Sequence, residues 1–390
     1  MKPQVLIIAA EASSGLFAQR LIEHWKNDKN DKSEKSGKKD LHFFGVGTPE
    51  MERIGFERLG KSEEMAVVGV VEVLEAYRHL KSVFNKIVDE VHKRKPRLII
   101  LMDYPGFNLR LAKALHSTGI PIVYYIAPQV WAWKTGRVQQ IRQYCRKVLV
   151  ILPFELDFFK KHQVPTEFVG HPLLDEIRPE LYDPKVRSLQ RQRRGVADAD
   201  FVVGLMPGSR RGELERNFPI QLKTAAILKR KYTNLKVIVF VAPTLTLEEV
   251  QSYLSQVSFD VQVIKDEPFQ MIQLADLILA ASGTATLMVA MLGVPMVIMY
   301  RLNWLTGIMA RVLVRGIKYF GLPNLVLNRE VVPERWQSQA SPEKLAVLLM
   351  DFMNQPDKLK SVGEELKKIP SLLGQRGATK RVAKSLEEFL

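Results

Sequence analysis

The chain has 390 residues, more than one hydrophobic core usually organises, so its length calls for two or three domains. Its composition, 46% apolar, 25% charged and 8% aromatic, is that of an ordinary soluble globular protein. Lys and Arg number 57 against 42 Asp and Glu, and the formal charge of +15 predicts attraction to phosphates, nucleic acid or an anionic membrane without choosing among them.

The single Cys145 excludes an intramolecular disulfide and any thiolate cluster for zinc or iron–sulfur, which points to a reducing compartment. No apolar run reaches the roughly 18 to 20 residues a spanning helix needs. The opening apolar run, 5–10, is shorter than a secretory core of roughly 7 to 15 residues and reads as a first buried strand. The expected placement is cytoplasmic, with access to a membrane surface.

From there short apolar runs alternate with helix-period stretches, the pattern of a parallel α/β sheet. The first half offers strands at 5–10, 43–46, 98–102, 122–126, 148–152 and 167–169, with helices at 20–26 and 109–117. Residues 27–40 form a polar, Lys-rich insert expected as a loop. Residues 65–84 are apolar at too many consecutive positions for one face of a surface helix, and Arg78, His79 and Lys81 interrupt them. That suits an interfacial segment entering anionic lipid through Val68, Val71 and Leu74, or else a core helix. A hinge is expected near 173–179, followed by a solvated basic helix at 185–194. The pattern then restarts with strands at 201–206, 236–241, 261–264, 277–280 and 296–300, and becomes helical from Ser341 to a last helix at 378–390. The expected fold is therefore α/β, with two Rossmann-like doubly wound domains facing each other across a cleft lined by the carboxyl ends of their strands.

Three strand ends carry chemistry. Asp103, in Asp103-Tyr-Pro-Gly-Phe-Asn108, tips an apolar strand, where partial desolvation would suit a base that deprotonates a hydroxyl; capping of the next helix explains the position equally well. Pro207-Gly-Ser-Arg-Arg-Gly-Glu213 joins a strand to a helix with a close-approach glycine, a hydroxyl and arginines, an anion-binding set; an ordinary turn with surface arginines is the competing reading. Ser282-Gly-Thr-Ala-Thr286 again places small residues at a helix start, and the two loops together can hold both phosphates of a diphosphate. Neither is a Walker loop or a Gly-x-Gly-x-x-Gly fingerprint. Asp198-Ala-Asp200 precedes its strand and so lies at the wrong end for a metal on a sugar nucleotide, and the His spacing builds no zinc site, so no metal and no cofactor is expected. His171, at the domain junction, suits either packing or ligand contact.

These segments resemble the lipid-A-disaccharide synthase family over nearly the whole chain. The resemblance rests on Glu11-Ala-Ser13, Phe44-Gly-Val-Gly47, residues 65–74, Asp103 to Leu109, Pro128-Gln-Val-Trp-Ala-Trp133, Leu152-Pro-Phe-Glu155, Phe168-Val-Gly-His-Pro172, Pro207 to Arg210, Ser282 to Thr286 and Gly321-Leu-Pro-Asn324. It implies a GT-B fold with an N-terminal acceptor domain, 1–175, a C-terminal donor domain, 176–377, and a last helix that returns to the first domain. It implies an inverting, metal-independent transfer from UDP-2,3-diacylglucosamine to 2,3-diacylglucosamine 1-phosphate (lipid X), at the inner face of a bacterial inner membrane. Asp103 becomes the base for the acceptor 6-hydroxyl. Gly208, Ser209, Arg210, Glu213, Ser282, Gly283, Thr284, Ala285, Thr286 and Asn324 become donor contacts, while Glu11, Ser13, Asn108 and His171 fall to the acceptor side or the cleft.

The chain departs from the family pattern at Ser14-Gly15, where the family usually has Gly-Asp, and at Gly106, where many members carry a second acid. It departs again at Met288, where a Glu suited to ribose hydroxyls is usual. Competing functions are a UDP-sugar epimerase of the same fold, a transferase for another lipid acceptor, and a non-catalytic membrane-bound derivative. No nucleic-acid-binding module is recognisable, so the excess charge is expected partly at Arg210 and the apolar stretch ending at Phe84, and otherwise on solvated surface.

Overall fold

The computed structural model describes residues 2–27, 40–65, 72–131, 136–255, 257–301 and 318–390. Most of the Lys-rich insert and the membrane candidates Val68 and Val71 lie outside the described residues. The chain divides into two compact units, Met1–Asp175 with Leu373–Leu390, and Glu176–Leu372.

Among the described residues the first unit has seven parallel strands: β1 (Gln4–Ala9), β2 (His42–Gly47), β3 (Glu57–Lys61), β4 (Leu98–Met102), β5 (Ile122–Tyr125), β6 (Lys147–Val150) and β7 (Thr166–Phe168). Their order is β3-β2-β1-β4-β5-β6-β7. The second unit has six: β8 (Phe201–Met206), β9 (Leu235–Phe240), β10 (Gln262–Ile264), β11 (Leu277–Ala281), β12 (Met296–Tyr300) and β13 (Glu334–Trp336). These run β10-β9-β8-β11-β12-β13, also all parallel. Central strands such as β4 are buried at every residue, as a sheet covered on both faces requires. The two strands absent from the sequence expectation, β3 and β13, are edge strands with charged residues, so they show neither a continuous apolar run nor clean alternation.

In the first turn of helix Ala12–Asn27, Ser14 Oγ accepts Glu11 N (3.1 Å) and donates to Glu11 O (2.9 Å). A Cβ on Gly15 would stand 2.3 Å from Thr48 Cγ2, so this glycine permits close approach of the helix to the turn after β2. The Ser14-Gly15 departure is thus a helix start with its own cap and its own packing. Helix Ala378–Leu386 packs on Ala12–Asn27 and is pinned by Arg381 Nε donating to Val169 O (2.8 Å) and Ser385 Oγ donating to Glu167 (2.6 Å).

Helix Glu72–Arg94 corrects part of the membrane reading. Val83, Ile87 and Val91, spaced by one helical turn, are buried in the core, and Phe84 packs edge-on to Phe107 at 5.7 Å. Its second half is therefore a core helix, whereas Leu74 falls in the first turn, next to residues that are not described.

The basic helix Pro184–Arg193 is not merely solvated. Arg191 is 2% exposed and donates to Leu274 O (3.0 Å) and Asp276 (3.1 Å). Arg187 donates to Gln273 O (2.9 Å), Ala275 O (3.2 Å) and Asp276 (2.6 Å). The carbonyls past the end of helix Pro268–Ile272 lack intrahelical partners, and the guanidinium groups satisfy them. Asp276 also accepts Val202 N (2.8 Å), so one carboxylate ties the starts of β8 and β11 to this helix. Arg191→Ala should destabilise the second unit by about 3 kcal/mol, because it strands buried acceptors. A urea transition of that unit with an unshifted midpoint would contradict this.

Candidate active site

Strand order reverses between β1 and β4 in the first sheet and between β8 and β11 in the second. Helices diverge at such points, leaving the carboxyl ends of the flanking strands open to a ligand. Glu11 and Ser13 follow β1, Asp103 follows β4, the 207–213 loop follows β8 and the 282–286 loop follows β11. The sequence-derived loops thus flank both switch points.

Asp103 and Tyr104 are consecutive left-handed residues, with φ of 45° and 43°. Side chains hold each such position at a cost of roughly 1–3 kcal/mol per residue. Asp103 N donates to Ile126 O (3.1 Å), and Asp103 O accepts both Asn108 Nδ2 (2.7 Å) and the Tyr124 hydroxyl (2.5 Å). Asn108 Nδ2 also donates to Met102 O (3.0 Å). Asn108 is fully buried, so it works on the Asp103 backbone and does not line a crevice, a correction to its expected place. Burial, with the charge of Asp103 adding to it, holds the Tyr124 phenol far above its ordinary value, so it stays a neutral donor. The Tyr104 hydroxyl donates to Met65 O (3.0 Å), and burial raises that phenol, helped by the charge of Glu11.

His171 is buried with its ring edge-on to Phe17 at 6.3 Å. Leu173 N donates to Nδ1 (3.2 Å), which leaves the ring proton on Nε2, and burial drives the imidazole down to about 3. These are packing contacts, and the ring stays neutral around pH 7. Sequence reasoning passed over Tyr124, and it met Glu155 only within the Leu152-Pro-Phe-Glu155 motif, without a role; Glu155 is buried in the first turn of helix Pro153–Lys161, which follows β6.

In the second unit Gly208 has φ +124°, and a Cβ there would meet Glu213 at 2.6 Å. Glu213 accepts Ser209 N (2.8 Å), so its carboxylate shapes the loop from within. Asn217 Nδ2 donates to Pro207 O (3.1 Å), while Gln221 Nε2 bridges Met206 O and Leu279 O (both 3.1 Å), joining the end of β8 to the middle of β11. Ser209 and Arg210 are left exposed at the start of helix Arg211–Lys231, which no side chain caps. Tyr300, at the end of β12, is raised by burial and feels the charges of Glu213, Arg210 and Arg216. Arg216, which sequence reasoning also missed, folds over Gly212 one turn into the helix.

Gly283 has φ +157° with open space where a Cβ would stand, and it begins helix Thr284–Met291, again without a side-chain cap. Thr284 and Ala285 are half-buried there, and Met288 is half-buried one turn on. Ser282 N bonds Met299 O (2.9 Å), and the buried Thr286 hydroxyl donates back to Gly283 O (2.7 Å), so Thr286 shapes the turn. The uncapped N–H groups and positive helix end suit a phosphate.

Asn324 departs from its expected donor contact. It is fully buried, Nδ2 donates to Val332 O (2.8 Å) and Glu334 (2.6 Å), and Oδ1 accepts Val331 N (2.8 Å) and Val332 N (3.1 Å). No hydrogen-bonding capacity of the amide remains for a ligand. Glu334 in turn accepts Phe320 N (2.6 Å) and Gly321 N (3.0 Å), so Gly321-Leu-Pro-Asn324 is a helix start clamped to β13.

Two units, each built on an all-parallel α/β sheet, give a GT-B-like fold. Over its full length the chain resembles UDP-GlcNAc 2-epimerase from Neisseria meningitidis (TM-score 0.63, 12% identity, 100% of each chain covered) and MurG from Acinetobacter baumannii (TM-score 0.58, 14% identity, 100% of each). At those identities the likeness concerns the fold alone. The family model for lipid-A-disaccharide synthetase matches residues 5–386, and the chain belongs to that family. Lipid-A-disaccharide synthase of Geobacter metallireducens is 37% identical over 388 residues, 99% of this chain and 97% of the relative. That of Nitrosococcus oceani is 34% identical over 386 residues, 98% and 95% of the two chains. The protein is a glycosyltransferase of lipid A biosynthesis.

Asn324→Ala should lower the stability of the second unit by roughly 2–3 kcal/mol, since two backbone N–H groups lose their acceptor, and change UDP affinity little. Calorimetry and thermal unfolding check this: an unshifted melting temperature with a large loss of UDP affinity would return Asn324 to the donor site.

Proposed function

We propose that this chain condenses UDP-2,3-diacylglucosamine with lipid X to give the β-1,6-linked disaccharide 1-phosphate and UDP. The observation that supports it is the placement of the Asp103 loop and the two anion loops at the switch points of their respective sheets. The first unit takes the acceptor and the second the donor. The Asp103 carboxylate accepts the proton of the acceptor 6-hydroxyl as its oxygen attacks the anomeric carbon of the donor. The bond from that carbon to the diphosphate breaks with inversion. Negative charge grows on the departing UDP, where Arg210 and the helix starts at 211 and 284 oppose it.

Asp103→Asn should fold normally and lose roughly a hundredfold or more in UDP release from authentic substrates, within the range typical of a general base. Near-normal turnover would remove Asp103 from that role. Arg210→Ala should chiefly raise the donor KM, and unchanged kinetics would take it out of the donor site.

The acyl chains of both substrates call for a lipid surface, and the stretch around Val68, Val71 and Leu74, flanked by cations, supports a peripheral seat on the cytoplasmic face of an anionic inner membrane. No described helix is long and apolar enough to cross a membrane. Val68→Ser, Val71→Ser and Leu74→Ser together should release the folded protein from anionic phospholipid vesicles in a sedimentation assay; retained binding would count against this seat.

A further inference from the structure

The described part of the loop after β5, residues 126–131, is fastened at its first and last residues. At its start Ile126 O accepts Asp103 N (3.1 Å). At its other end Trp131 Nε1 donates to Glu155 Oε1 (3.1 Å), and the indole stands edge-on to Phe154 at 4.9 Å. Ala127 and Val130, between them, are buried. Glu155 Oε2 accepts Leu152 N (3.1 Å), so this one carboxyl joins the loops that follow β5 and β6.

A carboxylate that caps a helix ordinarily sits in water, whereas Glu155 is 1% exposed. Burial pushes it up to about 7; the N–H groups of Leu152, Trp131 and Ile151 oppose that rise, and the charge of Asp103 adds to it. The groups facing the carboxyl are thus the Trp131 indole from the β5 loop, the N–H groups ahead of its own helix, and the Asp103 carboxylate from the end of β4.

We propose that Glu155 is a positioning residue for Asp103: it locks Trp131, and with it the loop that holds the Asp103 backbone. The inference rests on Asp103 being the acceptor base. As pH rises, Glu155 ionises, its hydrogen bond from the Trp131 indole becomes charge-assisted, the loop is held more firmly and the chemical step accelerates.

The test is the single-turnover rate of the full chain, with authentic donor and acceptor, from about pH 5.5 to 8.5. The shape of such a profile does not depend on the fraction of enzyme that is folded, so a merely structural role leaves it unmoved. The wild type should show a rise through about pH 7. Glu155→Gln should abolish that rise. Trp131→Phe removes a donor that favours the charged carboxylate, so it should shift the rise to higher pH. Superimposable profiles for the three proteins would overturn the proposal, and the Trp131 variant decides alone if the Glu155 variant does not fold. Asp103→Asn separates the two readings. Retained turnover there defeats the base assignment, whereas lost turnover beside an unaltered Glu155→Gln profile defeats only the positioning role.

Discussion

Parallel strands buried on both faces leave their backbone groups few places to meet a ligand. Helical crossovers cover the faces, and the hydrogen-bond ladder consumes the interior amides. The carboxyl ends beside a reversal of strand order remain, because there the two following helices lead away in opposite directions. Both units obey this constraint, and the chemistry-bearing loops of each follow from it: Asp103 beside Glu11 in one sheet, Pro207 to Glu213 beside Ser282 to Thr286 in the other.

Open strand ends have unpaired carbonyls, and the same device closes them in both units. A helix that follows a switch-point strand sends a buried amide back to the last carbonyl of the strand it left and to a neighbouring one. Asn108 reaches the carbonyls of Met102 and Asp103, and Gln221 reaches those of Met206 and Leu279. These contacts hold the loop backbone in place before a substrate arrives, which is where preorganisation comes from. Glu213 and Asn324 belong to the same internal scaffold, although each looks like a ligand contact when read from its motif.

The excess of basic residues divides along similar lines. Arg187 and Arg191 serve the amino ends of the strands by neutralising Asp276 and covering helix carbonyls. Arg94 pairs with Glu57 through two hydrogen bonds of 2.7 Å each, and this pairing holds the Glu57 carboxyl down at about 2. Arg210 and Arg216 stand instead around the 207–213 loop of the second unit, close enough to act on Tyr300.

Much of this was legible in the sequence, because central parallel strands are continuous apolar runs and turn residues mark their ends. Asp103 and the 207–213 and 282–286 loops could be located from that pattern alone, and the family followed from the order of the motifs. The edge strands β3 and β13 were not legible, since half-exposed charged strands carry no such signal. Nor were the roles of Arg191, Asn324, Tyr124 and Glu155. A polar residue in a motif looks the same whether it faces solvent, a ligand or a buried carbonyl. Its partners lie far away in sequence, 85 residues from Arg191 to Asp276 and 21 from Tyr124 to Asp103. The sequence by itself determined the strands, their ends and the residue types found there; tertiary structure alone decided which of those polar groups are enclosed and paired, because burial and hydrogen bonding are properties of neighbours brought together by folding.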